Sequence, residues 1–170
     1  MNATSLAFRT PEPARLAVTV AAVGRDDADV LLRLCDEHAG QTVLEHGQPA
    51  PRDGLLEFHE ALFDTPLRAW AWLARVDEAP VGYAFATVGF SLAGRGYSLQ
   101  LDALYVREPW PPHAVETALF AQVAALAQRL GCVQLQWTAP SWNASARRFD
   151  DNAARHECVR YFLPLPASAG

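Results

Sequence analysis

The chain has 170 residues, about half of them apolar, and a formal charge of −5, a composition suited to one compact globular domain. The acid excess leaves no basic footprint for nucleic acid; Arg147 and Arg148 are the sole adjacent cationic pair. No run of about 18 apolar residues occurs, and MNATSLAFRTPEPAR at the start has neither a basic n-region nor an apolar h-region, so no membrane span or secretory signal is expected and the location reads as cytoplasmic.

In chain order, Leu16, Val18 and Val20 alternate as in a strand, and Gly24 with Asp26 and Asp27 reads as a turn and helix start. VLLRLCDEHA then places Val30, Leu31, Leu34 and Cys35 on one helical face. EHGQPAPRDG, Glu45 to Gly54, is loop-like, and Leu55, Leu56, Phe58, His59, Leu62 and Phe63 suggest a second short helix. Three strands follow, AWLARV, VGYAFATVGFSL and YSLQLDALYV, separated by turns at Asp77–Pro80 and Ala93–Gly96.

Between His113 and Leu130 the apolar residues Val115, Ala118, Leu119, Val123, Leu126 and Leu130 recur at helical spacing, with Gly131 placed to end the helix. Cys132–Thr138 alternates as a strand; a strand, a long helix and another strand imply a parallel crossover. A short helix over Asn143–Ala154 and a strand through Val159, Tyr161 and Leu163 complete the order β-α-α-β-β-β-α-β-α-β. The expectation is an α+β fold, a mixed and mostly antiparallel sheet with helices on both faces. Residues 15–164 form the single domain between an N-terminal tail, 1–14, and a C-terminal tail, 165–170.

Cys35, Cys132 and Cys158 are odd in number and lack a Cys-x-x-Cys spacing, and the five histidines make no paired ligand set. His156-Glu157-Cys158 would point to alternate faces of a strand. No metal is expected.

The strings YSLQLDALYVREPW, QRLGCVQLQW and APSWNASARRF, in this order and spacing, resemble the GNAT superfamily of acyl-CoA-dependent N-acetyltransferases. They are most similar to its diamine (spermidine/spermine) branch. The resemblance spans roughly Leu16 to Leu163 and implies a three-layer α/β/α domain, a homodimer, acetyl-CoA as cofactor and a small amine as acceptor. It implies that the strand at Leu104, Tyr105 and Val106 binds the pantetheine arm. The pyrophosphate would lie at His113, Ala114, Val115 and Glu116, with Asn143 a further cofactor contact or simply a helix cap.

The chain departs from the family at that loop. Where the family has Arg/Gln-x-x-Gly-x-Gly/Ala, the matching positions hold Pro111, Ala114 and Glu116. Pro111 and Pro112 have no N–H to offer a phosphate. Two lost hydrogen bonds to a charged group, at about 1.5–3 kcal/mol each, weaken binding about 10²- to 10⁴-fold. The carboxylate of Glu116 opposes an anion but suits a helix start, read here as a first-turn acid reaching back to the cap.

The family's acid, a tyrosine after phenylalanine, is matched by Phe149-Asp150. An ordinary Asp, with a pKa of about 4, is a poor proton donor to a thiolate of about 8.5. Asp150 is thus a catalytic candidate or a solvated helix face. Asp102 matches one carboxylate of the diamine motif and Ala103 replaces the next; Asp102 is the candidate for gripping or deprotonating the substrate ammonium, or a polar residue on an open strand face. Trp142 lines the acceptor pocket or packs. Two functions follow: N-acetyl transfer to a small amine or amino-acid-like acceptor with weakened acetyl-CoA binding, or a catalytically silent ligand-binding or protein-interaction module.

Overall fold

In the computed structural model, residues 17–46 and 55–138 are described, and the backbone follows the apolar periodicity closely. The alternating residues near the N-terminus form β1 (Val18–Ala22). A 3-10 turn over Arg25–Asp27 leads into α1 (Ala28–His46), which is longer than the apolar face alone predicts. α2 (Leu55–Phe63) follows, then β2 (Ala69–Val76), β3 (Ala79–Ser91) and β4 (Gly96–Val106). α3 (Pro112–Arg129) crosses over to β5 (Gln134–Trp137). The helix read over 143–154, the strand through 159–163 and both tails lie outside the described residues.

The five strands lie in the order β1-β2-β3-β4-β5. The first three pairings are antiparallel and β4–β5 is parallel, as the crossover requires. The β2–β3 turn is tighter than the sequence suggests. Asp77 and Glu78 alone make it, both at positive φ (47° and 64°), the geometry that matches strand twist in a two-residue hairpin, and Pro80 falls inside β3 opposite Arg75.

Two cores cover the two sheet faces. On one, Val115, Leu119, Val123 and Leu126 of α3 bury against Trp72, Ala74, Ala84, Ala86, Leu99 and Leu101. On the other, Leu31 and Leu34 of α1 and Leu62 of α2 bury against Ala71, Leu73, Tyr83 and Tyr105. In α2, Leu55 and Leu56 are exposed, so Phe58, Ala61 and Leu62 carry its packing. Arg25 ties the start of α1 to the end of α2 through Asp64 (2.9 Å) and lies over the Phe63 ring.

α3 is capped by Leu130, with Gly131 next at φ 65°. The N–H of Cys132 donates to the Ala127 carbonyl and that of Gly131 to Gln128. This satisfies the last carbonyls by a left-handed residue that glycine adopts without strain.

Candidate active site

β4 contains the feature that shapes the site. Phe85 pairs with Ala103 but Ala86 pairs with Leu101, so Asp102 is an extra residue, a bulge in β4. A bulge shifts the two-residue alternation of the strand and bends it. Before it, Leu99 and Leu101 face α3; after it, Ala103 and Tyr105 face α1 while Leu104 and Val106 pack on the α3 side.

The bulge coincides with the end of the β4–β5 pairing. β5 accompanies β4 from Ser98↔Gln134 to Leu101↔Trp137, and no described strand pairs with β4 beyond it. Arg107 donates its N–H to the Val81 carbonyl across the β3–β4 ladder (2.8 Å). In an antiparallel ladder alternate residues bond to the same neighbour, so Tyr105 also faces β3. The peptide groups of Leu104 and Val106 are then directed to the other edge, where β5 has ended. Trp137 closes β5 by packing edge to face on Phe120 of α3 (5.3 Å).

Asp102 is exposed, and Thr87 Oγ1 donates a hydrogen bond to its Oδ2 (2.6 Å). The carboxylate thus sits on the α1/α2 face of the sheet at the mouth of this opening. Beside it, Phe85 carries Phe58 of α2 stacked on it, ring centroids 6.2 Å apart.

The start of α3 corrects one expectation. Pro111 is the cap, extended at φ −65°, ψ 111°, and Pro112 is the first helical residue, because the residue before a proline is driven out of the helical region. Glu116 is therefore the fifth helical residue rather than a first-turn acid, and no acidic residue lies in the first turn. It cannot reach back to a cap N–H, since Pro111 has none. Of the N–H groups free at this helix start, those of His113 and Ala114 remain; the Val115 N–H is positioned to bond within the helix and its side chain is fully buried.

The structure also groups residues that the sequence reading did not single out. Along α1 the stripe Leu31, Leu34, His38, Gln41 turns from apolar to polar. His38 shares a hydrogen bond with the Tyr83 hydroxyl (2.8 Å) and stacks on Tyr105 at 4.9 Å. Gln41 donates to the Tyr105 hydroxyl (3.4 Å). At the end of β4, Arg107 makes a two-pronged ion pair with Glu37 (2.8 and 2.5 Å), and the hydrogen bonds from Arg107 hold the Glu37 carboxyl below its ordinary range. These contacts fasten α1 to β4 beside the opening. The continuation of an apolar stripe into His and Gln at the same 3–4 spacing is the signal that would have found them.

Burial, reinforced by the neighbouring Cys35, raises the Tyr83 phenol far above its ordinary value. Folding therefore favours the neutral phenol, and its contribution is complete below the unfolded value of about 10 and lost as pH rises above it. We expect Tyr83→Phe to cost about 1 kcal/mol at pH 8 through its lost hydrogen bonds. The gap to the parent should narrow at pH 10.5 or above, read from urea midpoints at both pH values.

Trp142, Asn143 and Asp150 lie outside the described residues. Asp102, Leu104, Tyr105 and Val106 come together at the opening, with His113, Ala114, Val115 and Glu116 on the helix that follows. No described helix is long and apolar enough to cross a membrane. Among the described residues, no three or more His, Cys, Asp or Glu gather as a metal site.

This sheet, with one parallel pair among the described strands, its bulged β4 and helices on both faces, has the fold of the GNAT acetyltransferases. A ribosomal-protein-alanine N-acetyltransferase from Brucella melitensis biovar Abortus 2308 shares it at 24% identity and TM-score 0.70, over 88% of this chain and 99% of that one. An aminoglycoside acetyltransferase from an uncultured soil metagenomic sample, solved with sisomicin, is similar at 14% identity and TM-score 0.70, over 88% and 97%. A possible acetyltransferase from Clostridium difficile 630 is similar at 17% identity and TM-score 0.64, over 88% and 97%. No family model and no curated protein matches the chain. At these identities the likeness is one of fold.

Proposed function

We propose that the protein transfers an acetyl group from acetyl-CoA to a small amine or amino-acid-like acceptor. The observation that carries this reading is the edge of β4 beyond Leu101↔Trp137, where no described strand pairs with the peptide groups of Leu104 and Val106. An amide-bearing arm such as pantetheine adds to such an edge as a strand would. When bound, the cofactor supplies an activated acetyl thioester. Asp102 holds the acceptor ammonium at the mouth and takes its proton, directly or through a water. His113 and Ala114 offer two backbone donors to the pyrophosphate, fewer than a helix start without prolines would, so the cofactor is held weakly.

Calorimetric titration with CoA and acetyl-CoA tests this. Binding in the micromolar to submillimolar range, together with CoA release when amines are added, supports it; silence at millimolar cofactor sinks it. The prolines at the head of α3, with Asp150 at the position of the family's tyrosine, favour the other reading, a non-catalytic binding module. The fold neighbours do not favour that reading, and the diamine branch is not singled out by them either.

A further inference from the structure

We propose that Thr87 and Asp102 together form a subsite for a single primary ammonium group carried on an apolar body, with Thr87 as the positioning residue. The inference rests on the amine acceptor proposed above and narrows it. As the bulge residue, Asp102 is outside the regular β3–β4 pairing, so its carboxylate has no neighbour fixed by the ladder. Thr87, on β3, supplies that constraint by donating to Oδ2 at 2.6 Å. One carboxylate oxygen is thereby held while Oδ1 is left to meet a ligand N–H. Thr87 follows Phe85 by two residues and so shares its sheet face.

That shared face defines the rest of the ligand. Phe85 pairs with Ala103, the residue next to Asp102, and with Phe58 it forms a stacked, half-buried wall beside the carboxylate. A phenyl or alkyl body lies well against such a wall. The bulge carries one negative charge, since position 103 is alanine, so a monoammonium ligand is matched in charge. A diammonium ligand would bring its second cation against an apolar surface.

The test is binding, which needs no turnover. Phenethylammonium, butylammonium and butane-1,4-diammonium chlorides are titrated into the protein while backbone amide resonances of Thr87, Asp102 and Ala103 are followed. Phenethylammonium is expected to bind tightest and to shift these amides. Asp102→Asn should weaken it at least about tenfold, Thr87→Val about fivefold, and Thr87→Ser should restore binding to within about twofold.

Equal binding by Thr87→Val and the parent, or tighter binding of the diammonium, overturns the inference. So does a saturated ligand that leaves these amides unmoved. Acetyl-CoA turnover is assayed separately on the same amines. Turnover unaffected by Asp102→Asn and Thr87→Val would overturn the subsite while leaving the transferase reading intact. Ammonium binding that depends on both residues, without turnover under any condition, would sink the transferase and keep the subsite.

Discussion

Gly82→Ala is expected to destabilise the protein by about 1–3 kcal/mol, the range that overpacking costs, and, under the proposed function, to weaken acetyl-CoA binding with it. A Cβ at position 82 would run into the Tyr105 carbonyl oxygen and crowd the Val106 Cα. Both obstacles are backbone of β4, which cannot rotate away as the end of a side chain can. The two strands must move apart at Gly82↔Val106, where the Leu104 and Val106 peptide groups face the opening. Gly89→Ala on the same strand is the control, since a Cβ there meets only the Ser98 hydroxyl at an ordinary 3.5 Å. Urea midpoints and cofactor titration of both variants check the point. A Gly82→Ala protein with parental stability would show that β4 is not held as closely as the register indicates.

The same stretch of β4 shows why part of the site was legible in the sequence and part was not. In YSLQLDALYV the apolar residues fall at 99 and 101 and then at 104 and 106, so the alternation changes phase at Asp102. The family resemblance is what points to Asp102, Leu104, Tyr105 and Val106; the phase change marks only that the strand is irregular beside them. That Asp102 is itself the extra residue, and that β5 stops beside it, depends on pairing between segments far apart in the chain. The core of α3 was legible because Val115, Leu119, Val123 and Leu126 follow the helical period whatever they pack against.

The start of that helix was read less well. The sequence suggested an acid in the first turn, but two successive prolines fix where the helix begins, and this places Glu116 one turn in. The Glu37–Arg107 pair joins residues 70 apart, and no local pattern announces such a meeting; only the turn of the α1 stripe toward His38 and Gln41 hints that a polar partner waits on the sheet.

Restoring a phosphate-accepting helix start is expected to tighten CoA binding about tenfold or more. Pro112→Gly returns one N–H at the first helical position, and a single hydrogen bond to a charged oxygen contributes about 1.5–3 kcal/mol, or roughly 10- to 100-fold. Glu116→Gly removes a carboxylate that lies about 3 Å further along the helix axis than Ala114 and repels an anion at that end. Against this, glycine inside a helix costs about 1 kcal/mol, and residue 116 is within α3. The double variant should therefore be less stable yet bind CoA more tightly, a combination that general loosening of the fold does not produce.

The gain should shrink as salt rises, because it comes from a charge interaction near the surface. It should also be larger for CoA than for pantetheine, which has no pyrophosphate. A gain equal for both ligands would place the improvement on the β4 edge instead. Affinity unchanged by either substitution would mean that the head of α3 is not where this chain meets the cofactor.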